Sequence, residues 1–573
     1  MTNFSEIHQA LLGEGFRLIK SVPFIIYSGS INLKKSNIAI ELIFFDKNLI
    51  TPPSIKLLEL PDYIPTVCAH INNYGYLCYI NGEQAHLSRE NLAGGVIGCL
   101  RLAEQLLNRL VNGDALADTQ DEFPIYWDGS SLLIDIPNKI SQGLITNTSF
   151  LKIIRTNTKD HEYLIGLDQE DLSAAYSHWD IEAISNSVSL RVIDSNIALG
   201  ATANNWPPKN LQDLKHWLIQ SNNPAVRELG NCAKDAYLQK KDMVIVLIRA
   251  PNASCAALID FKEARKIIRA RTADEFMRFV FNEKRGKPVN DQRPYPKSWA
   301  AKSNITRLTP IPADPQSWLT RNLSDFNAGL SEKRIALIGV GAIGGYLADL
   351  LAKSGAGFLG GELRLIDTDE LSVGNIGRHI LGFGDIGIAK TKGIKNLLEK
   401  NYPRINISIS EPNEKLENTI RNFDLVIDAT GNQGLSNYLN ELKLKKLIKS
   451  PILFAWVAGT GCGSQAYLFS DKAHACLRCL EYDLPGSNGS IMRRDYKVEF
   501  KNSAGSCGDW LVPFSAPAAI HAAALAADLA TGWSKGKPHP RFRSITIDYI
   551  GGKTVKPTSP LANTGCKTCK SRH

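Results

Sequence analysis

A short apolar run, Ile335–Ile338, leads directly into Gly339-Val-Gly-Ala-Ile-Gly344, and Tyr346–Lys353 then carries apolar residues at helical spacing. Strand, glycine loop and helix in that order fit few folds. Glycines let the backbone turn tightly and approach a phosphate, and the helix N-terminus favours negative charge. A second apolar run, Leu363–Ile366, ends in Asp367, 23 residues beyond Gly344 and in place to hold ribose hydroxyls. From Arg334 onward the pattern predicts a doubly wound, Rossmann-like sheet with a nucleotide site at Gly339, Gly341, Gly344 and Asp367. The usual occupant of such a fingerprint is NAD or FAD, and a glycine turn with no ligand is the bland alternative.

A chain of 573 residues exceeds a single core and predicts two to four domains. Its 44% hydrophobic and 21% charged content is that of an ordinary globular protein. No apolar run approaches the length needed to span a bilayer, and the stretch up to Phe16 lacks the basic-then-apolar order of a secretion signal. A cytoplasmic location is therefore expected, where the 11 cysteines stay reduced and serve as ligands, nucleophiles or small core residues. The net charge of +9 is not gathered into a basic stretch, so neither nucleic acid nor a membrane is an expected partner.

The chain reads as multi-domain α/β. Residues 1–145 predict an α+β domain: helix Phe4–Ile19, strands Phe24–Ile31 and Ile38–Phe45, a bend at Pro52–Pro53, a loop with Cys78, and helix Leu92–Val111. Residues 146–315 form a middle region without a chemical motif, with a strand at Asp242–Ile248 and a helix at Glu263–Phe281. Prolines at 288, 294, 296, 310, 312 and 315 mark Pro288–Pro315 as a linker. Residues 316–573 hold the nucleotide domain.

The stretch after Asp367 points away from NAD. It contains Asn375-x-x-Arg378, then Gly387-Ile-Ala-Lys390, then Asp424-Leu-Val-Ile-Asp428. With the glycine loop, this set resembles the ThiF/MoeB/ubiquitin-activating superfamily over about residues 318–573. The resemblance implies that Asp367 binds ribose, that Asn375, Arg378 and Lys390 contact the phosphates of ATP, and that Asp428 lies near Mg2+. The chemistry agrees. A carboxylate attacking the α-phosphate brings two anions together, which cations must neutralise, and magnesium takes hard oxygen ligands. Taken singly, each Arg or Lys reads as a solvated surface charge and Asp428 as a helix cap. The resemblance also implies a homodimer. Arg321 is a candidate for reaching the other subunit's ATP, and a plain surface role is its alternative.

Two Cys-x-x-Cys pairs, Cys476/Cys479 and Cys566/Cys569, suit one tetrahedral Zn2+ of structural type. Between them Cys507 stands in a Gly- and Ser-containing stretch ahead of Pro517 and an Ala-rich helix, where the superfamily places an acceptor cysteine. An exposed thiol there can take an acyl group from an adenylate as a thioester. The alternatives are a buried structural role for Cys507, or Cys462 as the nucleophile.

In the N-terminal region, Cys68-Ala-His70-Ile-Asn72-Asn-Tyr-Gly75-Tyr-Leu-Cys78 resembles the active-site segment of ubiquitin-conjugating enzymes, with Ile71 where that family has Pro. The resemblance implies that Cys78 carries a thioester and that His70 and Asn72 support it. Cys68 and Cys99 read as core. A conjugating-like domain joined to an activating-like domain resembles the fusion encoded in CBASS anti-phage operons, which ligates the C-terminus of a cGAS-like nucleotidyltransferase to target amines such as lysine. The resulting expectation is ATP-dependent adenylation of a protein C-terminus, transfer through Cys507 and Cys78, and ligation to an amine. A ligase for a bacterial ubiquitin-like modifier, a sulfur-carrier-protein adenylyltransferase, an NAD oxidoreductase and a non-enzymatic docking role for the N-terminal half are the competing readings.

Overall fold

The computed structural model describes residues 2–33, 37–59, 68–72, 74–80, 86–112, 118–136, 143–154, 161–201, 206–221, 223–262, 272–275, 304–322, 329–411, 414–471, 473–481, 483–502 and 510–568. The chain divides into two compact units, Met1–Pro312 and Ala313–His573.

The first unit opens with helix α1 (Thr2–Gly13) and an antiparallel sheet ordered β1 (Arg17–Lys20), β2 (Ile25–Asn32), β3 (Asn37–Phe44), β4 (Ser54–Leu57) and β5 (Tyr76–Leu77). The expected helix Phe4–Ile19 is thus cut short. Gly15 takes φ +84°, a conformation open to glycine at no steric cost, and the chain reverses into β1. Strand β3 alternates, with Ile38, Ile40, Leu42 and Phe44 turned to the core. Helix α2 (Leu92–Asn112) lays Leu92, Val96, Cys99, Leu100, Ala103, Leu107 and Leu110 on one stripe, which packs with Ile7 and Leu11 of α1. Two short helices follow, α3 (Asp118–Asp121) and α4 (Phe123–Trp127).

A closed barrel completes the unit. Its strands are β6 (Ser130–Asp135), β7 (Gly143–Ile153), β8 (Glu162–Gly166), β9 (Ile181–Asp194), β10 (Met243–Arg249), β11 (Ser254–Asp260) and β12 (Ile305–Pro312), in the order β10-β11-β12-β6-β8-β7-β9. Ile245 and Leu247 of β10 fill its interior with Leu132, Phe150, Val188 and Leu190, while Val244, Val246 and Ile248 lie under helices Leu211–Gln220 and Ala225–Leu238. The expected linker is therefore a barrel strand over 305–312, with residues 288–303 outside the described residues. Pro310 and Pro312 lie past Leu308, the last residue paired to β11. Two residues apart, they lack donors on the same edge, where no ladder bond is required. The expected helix Glu263–Phe281 falls mostly outside the described residues.

The second unit is a sheet ordered β15-β14-β13-β16-β17-β18-β21. Strands β13 (Arg334–Ile338), β14 (Glu362–Ile366), β15 (Ile407–Ile409), β16 (Leu425–Asp428) and β17 (Ile452–Ala458) are parallel, and β18 (Gly463–Phe469) and β21 (Phe542–Thr546) run antiparallel. A small ribbon, β19 (Lys501–Asn502) with β20 (Trp510–Leu511), lies between them in sequence. Helices Ala342–Lys353 and Ala516–Ser534 cover one face. The order reverses after β13, so β13 and β16 lie side by side and their carboxyl ends open the crevice where ligands bind in such sheets.

Candidate active site

Of the expected nucleotide residues, all but Gly344 and Asp428 line one cavity of about 570 Å³: Gly339, Gly341, Asp367, Asn375, Arg378 and Lys390. Gly339 has φ +81°, and a Cβ at Gly344 would stand 1.8 Å from the Gly339 carbonyl oxygen, so the loop closes on itself only with glycine there. A Cβ at Gly341 would meet nothing within 4 Å. The loop backbone is thus bare where a phosphate would approach, as a nucleotide requires.

Asp367 ties the loop to the sheet. Its Oδ2 accepts from the Val340 amide at 2.8 Å and its Oδ1 from the Asp369 amide at 2.9 Å. A carboxylate has about four lone-pair sites, so acceptor capacity remains for ribose hydroxyls. The Lys390 ammonium is nearly buried and meets Asp369 Oδ2 at 2.7 Å. Arg378 is half-buried, and burial pushes its guanidinium below the usual range. Its charged face lies over the Phe514 ring at 4.8 Å, a cation–π contact. Asn375 Oδ1 accepts from the Ser372 amide at 2.9 Å and hydroxyl at 3.0 Å, which fixes the turn carrying Arg378.

Asp428 stands behind the cavity wall and is 1% exposed. Its Oδ1 accepts from the Thr430 amide at 3.0 Å and hydroxyl at 2.7 Å, and its Oδ2 accepts from the Ser436 hydroxyl at 2.5 Å. Burial raises this carboxyl above the usual range despite those bonds. His379 went unremarked in the sequence reading, yet it lines the cavity beside Lys390. Its Nε2 meets the Val340 carbonyl at 2.8 Å and its Nδ1 accepts from the Leu381 amide at 3.1 Å. Burial pushes its imidazole down, which suits a neutral ring with the proton on Nε2. Its place directly after Arg378 was the available signal. Arg321 is exposed at the end of helix Pro315–Asn322.

Cys476, Cys479 and Cys566 converge, with their Sγ atoms all within 4.8 Å of one another. Two separations are 3.6 and 3.9 Å. Thiolates about 2.3 Å from a tetrahedral zinc stand about 3.8 Å apart, so the donor set fits that ion. Cys569 and Cys507 lie outside the described residues. Cys462 is buried, and burial pushes its thiol up to about 11, poorly suited to attack.

In the first unit Cys78 is exposed directly after β5. Its amide donates to the His70 carbonyl at 2.7 Å. Asn72 points its Oδ1 into the intervening turn, accepting from Tyr74 and Tyr76 amides at 2.9 Å each. His70 sits at φ +65°, with Nε2 3.0 Å from Asp118 Oδ2 and Nδ1 2.8 Å from Glu122 Oε1. The other Glu122 oxygen accepts from the His70 amide at 2.8 Å and meets the Tyr126 hydroxyl at 2.9 Å. Asp118, Glu122 and Tyr126 were not singled out in sequence, where only a run of acids after α2 hinted at them. Partial desolvation raises the thiol of the exposed Cys78 above its ordinary range, and the Glu122 charge adds to the rise. Cys68 and Cys99 are buried, as expected.

These two centres define an enzyme of the adenylating, ubiquitin-like conjugating class, in which an E2-like domain is fused to an E1-like one. Residues 15–132 match the prokaryotic E2 family B and residues 319–568 match the ThiF family. The chain is 25% identical over 531 residues to the ATP-dependent ubiquitin transferase-like protein Cap2 of Pseudomonas aeruginosa, covering 92% of this chain and 91% of that protein. It is 24% identical over 605 residues to the protein of the same description from Vibrio cholerae, covering 98% and 99%. Among solved structures, E. coli MccB with ATP shares 20% identity at a TM-score of 0.32 over 42% of this chain and 68% of that chain. No helix among the described residues is long and apolar enough to cross a membrane.

Proposed function

We propose that the second unit adenylates the C-terminal carboxylate of a protein and that the first unit ligates that protein to a lysine amine. The observation that carries this reading is the cavity in which a bare glycine loop and Asp367 stand with two cations, the nearly buried Lys390 and the half-buried Arg378. A carboxylate oxygen attacks the α-phosphorus of ATP, the bond to the bridging oxygen breaks, and pyrophosphate leaves. Arg378 and Lys390 offset the charge that gathers as the two anions meet. Asp428, buried behind the cavity wall, would be the oxygen ligand for magnesium, which when bound would supply Lewis-acid help to the departing pyrophosphate.

The Cys507 thiolate then attacks the acyl carbon and AMP leaves. The Cys78 thiolate attacks that thioester and Cys507 is released. A lysine amine attacks the Cys78 thioester, losing a proton to solvent as the thiolate leaves. Exchange between thioesters is nearly neutral, and amide formation draws the sequence forward. His70 and Asn72 position the Cys78 turn. The three converged cysteines, with Cys569, would hold a zinc ion of structural type. The working unit is a homodimer in the cytoplasm, with the first domain boundary ahead of β6 rather than at residue 145, because β6 and β7 belong to one barrel. The residue-level resemblance favours a cGAS-like nucleotidyltransferase of an anti-phage system as the protein ligated. The test is pyrophosphate exchange dependent on that protein and on magnesium, which Asp428→Ala abolishes; exchange unchanged in the variant contradicts the reading.

A further inference from the structure

Strand register brings a lysine to the edge of the Cys78 turn. On β4 and β5, Lys56 stands opposite Tyr76 and Ile55 opposite Leu77. Ile55, Leu57 and Leu77 point into the core, so Lys56 and Tyr76 share the outer face, where Phe45 packs on Tyr76 with ring centroids 6.4 Å apart. Cys78 lies two residues past Tyr76, immediately beyond β5, and its exposed side chain continues that face. The Tyr79 hydroxyl donates to the Pro53 carbonyl, so the two chains stay side by side past the last ladder pair. Lys56 and Cys78 are therefore diagonal neighbours across the strands. Such residues stand about 7–8 Å apart, within reach of a long side chain. Nor is the Lys56 ammonium tied down elsewhere. Glu41 stands opposite it on β3, yet among the described residues no ion pair joins the two. The ammonium lies instead over the Tyr76 ring, 5.9 Å from its centroid. A cation–π contact at an exposed site is worth about 0.5–1 kcal/mol, so leaving the ring costs little.

We propose that Lys56 is a self-ligation site, its amine taking the acyl group from Cys78 of the same chain. The proposal rests on the thioester reading of Cys78. The free-base amine attacks the thioester carbonyl carbon and a C–N bond forms. The C–S bond breaks, Cys78 leaves as the thiolate, and the proton of the new ammonium passes to solvent. An amine held beside a thioester reacts as if at high local concentration, whereas a target lysine must arrive by diffusion. Self-ligation therefore prevails where target lysines are scarce. Its amide is not undone by thiol exchange, and it leaves the acyl protein seated against Cys78, which retires that chain from further transfer.

The probe is a biotinylated Gly-Gly thioester of mercaptoethanesulfonate, which charges a reactive cysteine by thioester exchange without ATP or a substrate protein. Adducts of the full chain are resolved on gels with and without a thiol reductant and mapped by mass spectrometry of tryptic peptides. The unaltered chain should gain a thiol-sensitive adduct on Cys78. That adduct should mature into a thiol-resistant one on Lys56 at a rate independent of protein concentration. Lys56→Arg keeps a cation over Tyr76 and removes the nucleophile, so its thioester should persist and the resistant adduct should fall about tenfold or more. A rate that rises with protein concentration, an unchanged resistant adduct in Lys56→Arg, or acylation of Lys56 that survives in Cys78→Ala overturns the inference while the thioester reading stands. No thiol-sensitive adduct on Cys78 overturns both. If Lys56→Arg does not fold, the unaltered chain decides: resistant label mapped away from Lys56 overturns the inference.

Discussion

The guanidinium of Arg378 lies over the ring of Phe514, 4.8 Å from its centroid. One residue belongs to the turn after β14, the other to the segment that leads into helix Ala516–Ser534, and both line the nucleotide cavity. The contact holds the Arg378 guanidinium in place with a ring that leaves its donors free for the phosphate proposed above. Phe514→Leu keeps an apolar wall and removes the ring. Such contacts are worth about 0.5–2 kcal/mol, so pyrophosphate exchange at subsaturating ATP should fall roughly two- to thirtyfold. Arg378→Lys should not restore it, since an ammonium lacks the planar fork.

Gly344→Ala forces a Cβ to within 1.8 Å of the Gly339 carbonyl oxygen. Overpacking of backbone on backbone costs about 1–3 kcal/mol or more. The rise in melting temperature that ATP produces in the unaltered chain should disappear in this variant, as followed by differential scanning fluorimetry.

The Cys78 thiol is raised by partial desolvation and then by the Glu122 carboxylate. A raised thiol holds its proton, so the thiolate fraction grows with pH only above the ordinary thiol range. Glu122→Gln removes the charge and lowers the thiol toward that range. Alkylation of Cys78 by iodoacetamide at pH 8, read by mass spectrometry of its peptide, should be faster in the variant, and its pH profile should move to lower pH.

Much of the second unit was legible in the sequence because its signals are local. The glycine loop, Asp367, Asn375, Arg378 and Lys390 lie within 52 residues, and the close approach to the Gly339 carbonyl dictates glycine at 344. The barrel was not legible, since closure joins strands far apart in the chain: β12 pairs with β6 through Leu308 and Ser130. Prolines in β12 mimicked a linker because an unpaired edge tolerates them. At Cys78 the motif gave the turn residues, but the groups holding His70 come from Asp118 and Glu122, about fifty residues on, where no local pattern marks them.

Cys566→Ser removes one of the three converged thiols. Zinc content measured by plasma mass spectrometry should fall and the melting temperature should drop with it, while pyrophosphate exchange per folded molecule stays close to that of the unaltered chain.

The relay of an acyl group through two thiols is most directly tested on non-reducing gels of the chain with labelled substrate protein, ATP and magnesium. Cys507→Ala should adenylate the substrate and form no thioester. Cys78→Ala should accumulate a thiol-sensitive adduct on Cys507 and yield no conjugate on lysine. Normal conjugation by Cys78→Ala would contradict the account and leave the first unit as a docking module.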